Sequence, residues 1–414
     1  MSQSPTLLIE HAAELLTIAS ESPDRIGKIV DGSVLIAGDR IVAAGRADEV
    51  AASVDRGSVR TIDARGKVVL PGFVDCHTHL IFGGSRVDEY AARVAGRDPS
   101  SLAEAGVPVG ITGTMQATRA LSVEQLTEQA LPRLAEMLQM GTTTAESKSG
   151  YGLSTDSELR MLRANQQLRQ LQPVELASTF LGAHAIPPDQ LRERYVEQII
   201  EEMIPQVAEE QLAEFCDAFC EEGYFTFDET RRVLEAGVAH GLRPKLHLDQ
   251  YRYSGAAVLA AELKCVSVDH LNFTPPEEVR KLAGAGVVGV IMAAIDFTVA
   301  HPRPIAARAL LADGLTLGIA TDCCPGCWLT SMQFVIALAC RLQGLPVEEA
   351  IRAATFGGAQ AIGRQDAIGS LESGKQADVL IVDVPRYEDL AYRLGRNAVE
   401  MVIKRGEVVV ERGA

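Results

Sequence analysis

The chain has 414 residues, 47% of them hydrophobic, with 39 basic against 55 acidic side chains and a formal net charge of −16. That composition supports a full core and argues against disorder. The charge argues against a nucleic-acid or anionic-membrane partner.

Residues 1–5, Met1-Ser2-Gln3-Ser4-Pro5, lack the charged and apolar regions of a secretory signal. No apolar run is long enough to span a bilayer. Eight cysteines in a chain of this length do not make a small secreted disulfide framework. A cytoplasmic protein with mostly reduced thiols is expected.

Residues 1–65 read as short strands at 7–9, 28–30, 33–36 and 40–44, with Asp31-Gly32 and Gly38-Asp39 as hairpin connections. Residues 66–364 alternate apolar strands with helix-period segments. Strands are expected at 67–74, 142–146, 175–181, 215–219, 245–248, 267–270, 287–291 and 316–320, with helices at 158–170 and 230–240. Eight strands alternating with helices predict a (β/α)8 TIM-type barrel. Residues 365–414 return to strands at 377–382 and 399–403 and a hairpin through Arg405-Gly406-Glu407. Both chain ends are therefore expected to build one small β-sandwich domain, with the barrel inserted between them.

The chemistry sits where the apolar strands end, which is where such barrels carry their reactive groups. His77 and His79 are one residue apart, so in extended chain they face the same side. Glu146 and Lys148, His184, Glu222, His247 and Gln250, His270 and Asp322 follow later strands. Three imidazoles, His77, His79 and His247, with the Asp322 carboxylate, make a metal site that leaves a position for water. A divalent ion there lowers the pKa of its water, giving a hydrolase. His270 is expected to stabilise developing negative charge and pass a proton to the leaving nitrogen. Asp322 is the metal-side proton acceptor.

Other residues take supporting roles. His184 is expected to contact the substrate, and Glu146 and Glu222 to orient metal ligands. Lys148 is not expected to be a carboxylated metal bridge, because one ion already has enough ligands. Arg86, after the flexible Gly83-Gly84, offers a planar fork for a carboxylate, and Tyr151 can close over a planar ring. Cys324 and Cys327 are expected to line the pocket as thiols in preference to forming a reversible disulfide. No second close-spaced pair supports structural zinc. Cys216 and Cys220 read as core, and His11, His240 and His301 as ordinary.

With these residues in view the chain resembles the amidohydrolase superfamily and, within it, the imidazolonepropionase family of histidine degradation. The likeness runs almost end to end. It rests on Asp75-Cys76-His77-Thr78-His79-Leu80 with Phe82-Gly83-Gly84-Ser85-Arg86, and on the run from Gly141 through Glu146-Ser147-Lys148-Ser149-Gly150-Tyr151-Gly152. It rests also on Gly182-Ala183-His184, Asp269-His270-Leu271 and Ala320-Thr321-Asp322. The resemblance implies one zinc or iron ion held by His77, His79, His247 and Asp322, with Arg86, Tyr151 and His184 binding the propionate and ring. It also implies a homodimer and a small anionic heterocyclic substrate, whose ring opens when water adds to the carbonyl and the C–N bond breaks.

Two departures mark a divergent member. The family carries His-Ala-Asp-Glu after the fifth strand, where this chain has His247-Leu248-Asp249-Gln250, and an amide cannot act as a base. The family's Asn-Pro-Gly-Ser is here Cys324-Pro325-Gly326-Cys327, which exchanges strong hydrogen-bonding groups for thiols. Gln250, Cys324 and Cys327 are therefore expected to act on the substrate by position rather than by ionisation. The changes leave room for a close five-membered ring analogue, a deaminase of an amino-substituted heterocycle, or a catalytically impaired ligand-binding homologue.

Overall fold

The computed structural model describes residues 4–412 except 20, 21, 23, 53, 55, 98–100, 103–106 and 108. Residues 1–3, part of the Met1–Pro5 segment that bears on a secretory signal, lie outside the described residues. Five strands open the chain: β1 (Leu7–Leu16), β2 (Lys28–Ala37), β3 (Arg40–Arg46), β4 (Arg60–Asp63) and β5 (Val68–Pro71). Next come β6 (Phe73–Asp75), β7 (Thr142–Lys148), β8 (Glu175–Ala183), β9 (Phe215–Cys220) and β10 (Arg243–Pro244), then β11 (Leu246–Leu248), β12 (Ser267–His270), β13 (Val288–Ile291) and β14 (Thr316–Ile319). The chain ends with β15 (Val379–Val382), β16 (Val399–Lys404) and β17 (Glu407–Glu411).

The two chain ends share one sheet, ordered β17-β16-β15-β5-β1-β2-β3, with β4 also on β1. It branches because β1 is irregular between Ile9 and Ala12, where His11 takes φ 59°. Before that point β1 pairs in parallel with β4, and after it with β5. Alternation sends Leu7 and Ile9 into one apolar cluster with Val69, Val379 and Ile403, and Leu8 into another with Leu35 and Val50. This branched sheet fits a small β-sandwich domain.

Two expected turns resolve differently. Arg405 (φ 51°) and Gly406 (φ 79°) make a two-residue hairpin, the pair of positive φ values that strand twist favours. Asp31-Gly32, expected as a hairpin, lies inside the continuous strand β2. Asp31 there (φ 52°) accepts from His11 Nδ1 at 2.8 Å, so the pair marks an irregularity facing β1.

The barrel strands run in parallel in the order β14-β13-β12-β11-β9-β8-β7-β6, with the short β10 on β9 leading into β11. The strand expected over 67–74 is two strands. Val68–Pro71 pairs antiparallel with β15 in the small sheet, and Phe73–Asp75 begins the barrel. Pro71-Gly72 is the crossing point. A Cβ on Gly72 would fall 2.1 Å from Thr143 Oγ1, so only glycine lets the chain pass there.

Past the strand ends, Asp322 N–H donates to His77 O at 3.2 Å and His79 N–H to Cys323 O at 2.9 Å. These bonds join the first strand to the last. They also hold the His77, His79 and Asp322 backbones against one another.

The expected helices are present as Thr155–Leu171 and Phe227–Ala239. The second starts earlier than expected because Thr226 and Glu229 form a capping box. Among the described residues no helix is long and apolar enough to cross a membrane.

Candidate active site

One candidate ligand atom from each of His77, His79 and His247 lies within 4.8 Å of the others. Asp322 Oδ1 is 3.6 Å from His77 Nε2 and 3.8 Å from His79 Nε2. All four residues are buried. His77 Nδ1 contacts Asp269 Oδ2 at 2.8 Å. Because a carboxylate only accepts, Nδ1 carries the proton and the His77 Nε2 lone pair faces the cluster. His247 Nδ1 lies 3.0 Å from Asp217 Oδ2, off hydrogen-bond alignment, with its Nε2 likewise free.

Beneath the imidazoles sits a buried charge network. Lys148 Nζ is 2.6 Å from Asp217 Oδ2, 3.2 Å from Asp269 Oδ2 and 3.0 Å from Glu146 Oε2. Lys245 Nζ is 2.6 Å from Glu146 Oε1. Lys148 is thus an ammonium among three carboxylates. Glu222 does not belong to this network: its side chain is 71% exposed and pairs with Arg252 at the surface.

The carboxylates against the candidate ligands are Asp269, bonded to His77, and Asp217, close to His247; Glu146, expected in that role, is held by Lys148 and Lys245 instead. The available signal for Asp217 is an acid inside the apolar run Phe215-Cys216-Asp217-Ala218-Phe219, where an unpaired charge would be costly.

A cavity of about 230 Å³ opens over the cluster. Arg86, Tyr151, His184, Gln250, His270 and Cys324 line it. Cys327 does not. Its sulfur lies under the loop, 3.7 Å from Thr321 O and 3.5 Å from Thr298 Oγ1, because the reciprocal Cys324–Cys327 backbone bonds fold the turn back on itself. His184 Nδ1 donates to Gly150 O at 2.9 Å, which leaves its Nε2 as an acceptor, and its ring stacks on His79 at 5.0 Å.

His301, read as ordinary, is buried, and its Nε2 donates to the Gln250 backbone oxygen at 2.9 Å. Asp249, His270, Leu271 and Asp322 all take φ between 50° and 81°. Left-handed backbone at non-glycine residues is strained, and here it collects at the strand ends that bear the site.

The sequence profile of the amidohydrolase family matches residues 68–409. The chain belongs to the amidohydrolase family. Its curated relatives include the imidazolonepropionase of Shouchella clausii (strain KSM-K16), 43% identical over 98% of this chain and 93% of the relative. The imidazolonepropionase of Geobacillus kaustophilus (strain HTA426) is 44% identical over 98% of each. Among solved structures, a zinc-bound adenosine deaminase from Xanthomonas campestris aligns with TM-score 0.72 at 20% identity, covering 99% of this chain and 94% of that one. Escherichia coli guanine deaminase aligns with TM-score 0.71 at 17% identity, over 99% and 100%. At that identity these two share the fold alone.

This amidohydrolase is a metal-dependent hydrolase, and its family implies a divalent ion. The residues present fit one. The Nε2 atoms of His77 and His247 are buried without a hydrogen-bond partner among the described residues, a costly arrangement unless something binds there. Burial, and then the positive charge of Lys148, holds the His77 imidazole well below its usual range; the same two causes act in the same order on His247. Burial, followed by His184, does so for His79. Neutral imidazole is the form that donates to a metal. Burial and the charges of Asp269 and Asp75 push the Asp322 carboxyl well above the carboxylate range, and a divalent cation reverses that balance.

Proposed function

We propose that this amidohydrolase hydrolyses 4-imidazolone-5-propanoate to N-formimino-L-glutamate, a ring opening in histidine degradation, as a cytoplasmic homodimer. Relatives at 43–44% identity that bear the name imidazolonepropionase support this reading. The observation that carries it is a set of metal-ready imidazoles in a cavity that also holds the cation of Arg86. In this reading residues 1–65 and 365–414 form the small domain and 66–364 the catalytic barrel.

His77, His79, His247 and Asp322 would hold the ion, and these ligands accept zinc or iron alike. When bound, it acidifies water and polarises the ring carbonyl. Arg86 receives the substrate carboxylate. His184 Nε2 accepts a ring N–H, and Tyr151 bounds the ring plane.

The Asp322 carboxylate takes the proton of the attacking water. Burial presses His270 down to about 3, so it works as a neutral imidazole. It donates a hydrogen bond to the developing oxyanion and passes the proton that Asp322 took from the water on to the departing ring nitrogen. Gln250 orients the ring through its amide, and Cys324 gives the wall a soft, weakly bonding surface.

The test is turnover of 4-imidazolone-5-propanoate by zinc- and iron-loaded protein, following loss of ring absorbance and formation of formiminoglutamate. One equivalent of product without ammonia, abolished by chelation and restored by metal, is expected. Ammonia release would assign a deaminase. Faster turnover of a hydantoin or thiohydantoin acid would assign a ring analogue, the outcome that Gln250 and Cys324 would then explain.

A further inference from the structure

Arg86, Glu89 and Arg93 lie at spacings of three and four, Arg86 just before the helix Val87–Val94, Glu89 in its first turn and Arg93 in its last. Glu89 is buried although charged. Its carboxylate accepts from Arg86 Nε at 2.8 Å and Nη2 at 2.7 Å, from Arg93 Nη2 at 2.9 Å and from Gly110 N–H at 2.7 Å. The Arg86 contact is a two-pronged fork, the geometry that fixes a guanidinium plane. It occupies the Nε–Nη2 edge and turns Nη1 toward Gly326, where a Cβ would come within 3.2 Å of it. Arg86 and Arg93 both line the cavity above the imidazoles.

Two charges decide what this arrangement does. Arg86 with Glu89 alone would be electrically balanced and a weak anion receptor. Arg93 brings a second guanidinium, so the triad carries one net positive charge in a chain of net charge −16.

We propose that Glu89 is a positioning residue for substrate recognition. It clamps one edge of Arg86, Arg93 offsets its charge, and the Nη1 end of Arg86 is fixed in the cavity wall to receive one carboxylate. The inference rests on the reading of the substrate as a carboxylate-bearing ring and adds how the carboxylate is selected. A free arginine at that place would have to lose side-chain freedom on binding; a clamped one has lost it already.

The probes are imidazole-4-propanoate and its methyl ester, titrated calorimetrically into metal-loaded protein. The native protein is expected to prefer the acid by about tenfold or more, the scale of one charge-assisted hydrogen bond. Glu89→Gln loosens the fork but also removes a negative charge, which by itself favours the acid; the loss of positioning is expected to outweigh that gain and lower the preference severalfold with ester affinity unchanged. In an Arg86→Met background the same change should have no further effect, because Glu89 acts through Arg86. Arg93→Gln, on a partly exposed side chain, keeps the clamp but balances its charge and should lower the preference severalfold.

A Glu89→Gln protein that keeps the native preference overturns the inference. So does an equal loss of acid and ester binding, or an effect that persists without Arg86. Native protein that binds acid and ester alike would instead remove the carboxylate-bearing substrate, and the inference with it.

Discussion

His77 Nδ1–H donates to Asp269 Oδ2 at 2.8 Å, across 192 residues of sequence, and so presents Nε2 to the candidate metal position. The carboxylate chooses the tautomer. In Asp269→Asn the amide can turn an N–H toward Nδ1, which would move the imidazole proton onto Nε2 and block the donor atom. Metal affinity is expected to fall by roughly 10- to 100-fold. Competition against a chelator of known affinity measures it, and native-like retention would show that Asp269 does not set the ligand.

Lys148 faces Glu146, Asp217 and Asp269 with no exposed surface. Removing one member of a buried ion cluster strands the rest, at a cost of about 3–5 kcal/mol. Lys148→Met is therefore expected to lower the urea midpoint sharply. Lys148→Met combined with Asp217→Asn, which removes one negative charge as well, should recover part of the loss. A single variant as stable as the native chain would mean that the cluster sheds its charge by protonation.

The parts of this site that sequence makes legible are those set by local period. His77 and His79 alternate on extended chain, and His247, His270 and Asp322 end apolar runs. The hidden parts depend on long-range pairing. Asp217 meets Lys148 across 69 residues, and no spacing rule connects them. The Arg86–Glu89 clamp is only three residues apart, yet an i,i+3 ion pair is so common on solvated helices that the sequence gives no reason to single it out. The fold shows the same division. Alternating strands and helices expose the barrel, whereas the break at Pro71-Gly72 depends on which sheet each half of one apolar run joins. Asp31-Gly32 carries a turn signature that β1 overrides by pairing on both sides of it, which leaves an irregularity in place of a turn.

Glu175, where β8 begins, ties the barrel to the small sheet. Its Oε2 lies 3.1 Å from Arg405 and 3.6 Å from Lys404. Burial raises its carboxyl pKa, but Lys404, Arg405, Gln376 and Arg364 outweigh that and leave it below the ordinary value. Between the folded pKa and about 4.5 the unfolded chain then binds more protons, so this contribution is present at neutral pH and fades as pH falls. Glu175→Gln should cost roughly 1 kcal/mol at pH 7, and its difference from the native chain should shrink on acidification. Urea midpoints of both proteins from pH 7 to about pH 3 report this, with the gap closing below about 4.5; a gap that widens toward acid would reverse the sign assigned here.

Gln250 and His270 line the same cavity with different capacities. The amide can accept and donate hydrogen bonds but cannot carry a proton away, whereas the imidazole can. Losing a proton relay typically costs 10²- to 10⁴-fold in rate. Losing one neutral hydrogen bond of about 1 kcal/mol costs roughly fivefold. His270→Ala is therefore expected to lower kcat by at least about 10²-fold with metal content retained. Gln250→Ala should act mainly on KM and by less than about tenfold. Gln250→Glu adds a second titratable carboxyl to the cavity that Asp322 also lines and should reshape the acidic limb of the pH–rate profile. Steady-state kinetics across pH on metal-assayed samples separate these effects. A Gln250→Ala protein as impaired in kcat as His270→Ala would make the amide part of the proton path and shift the assignment away from His270.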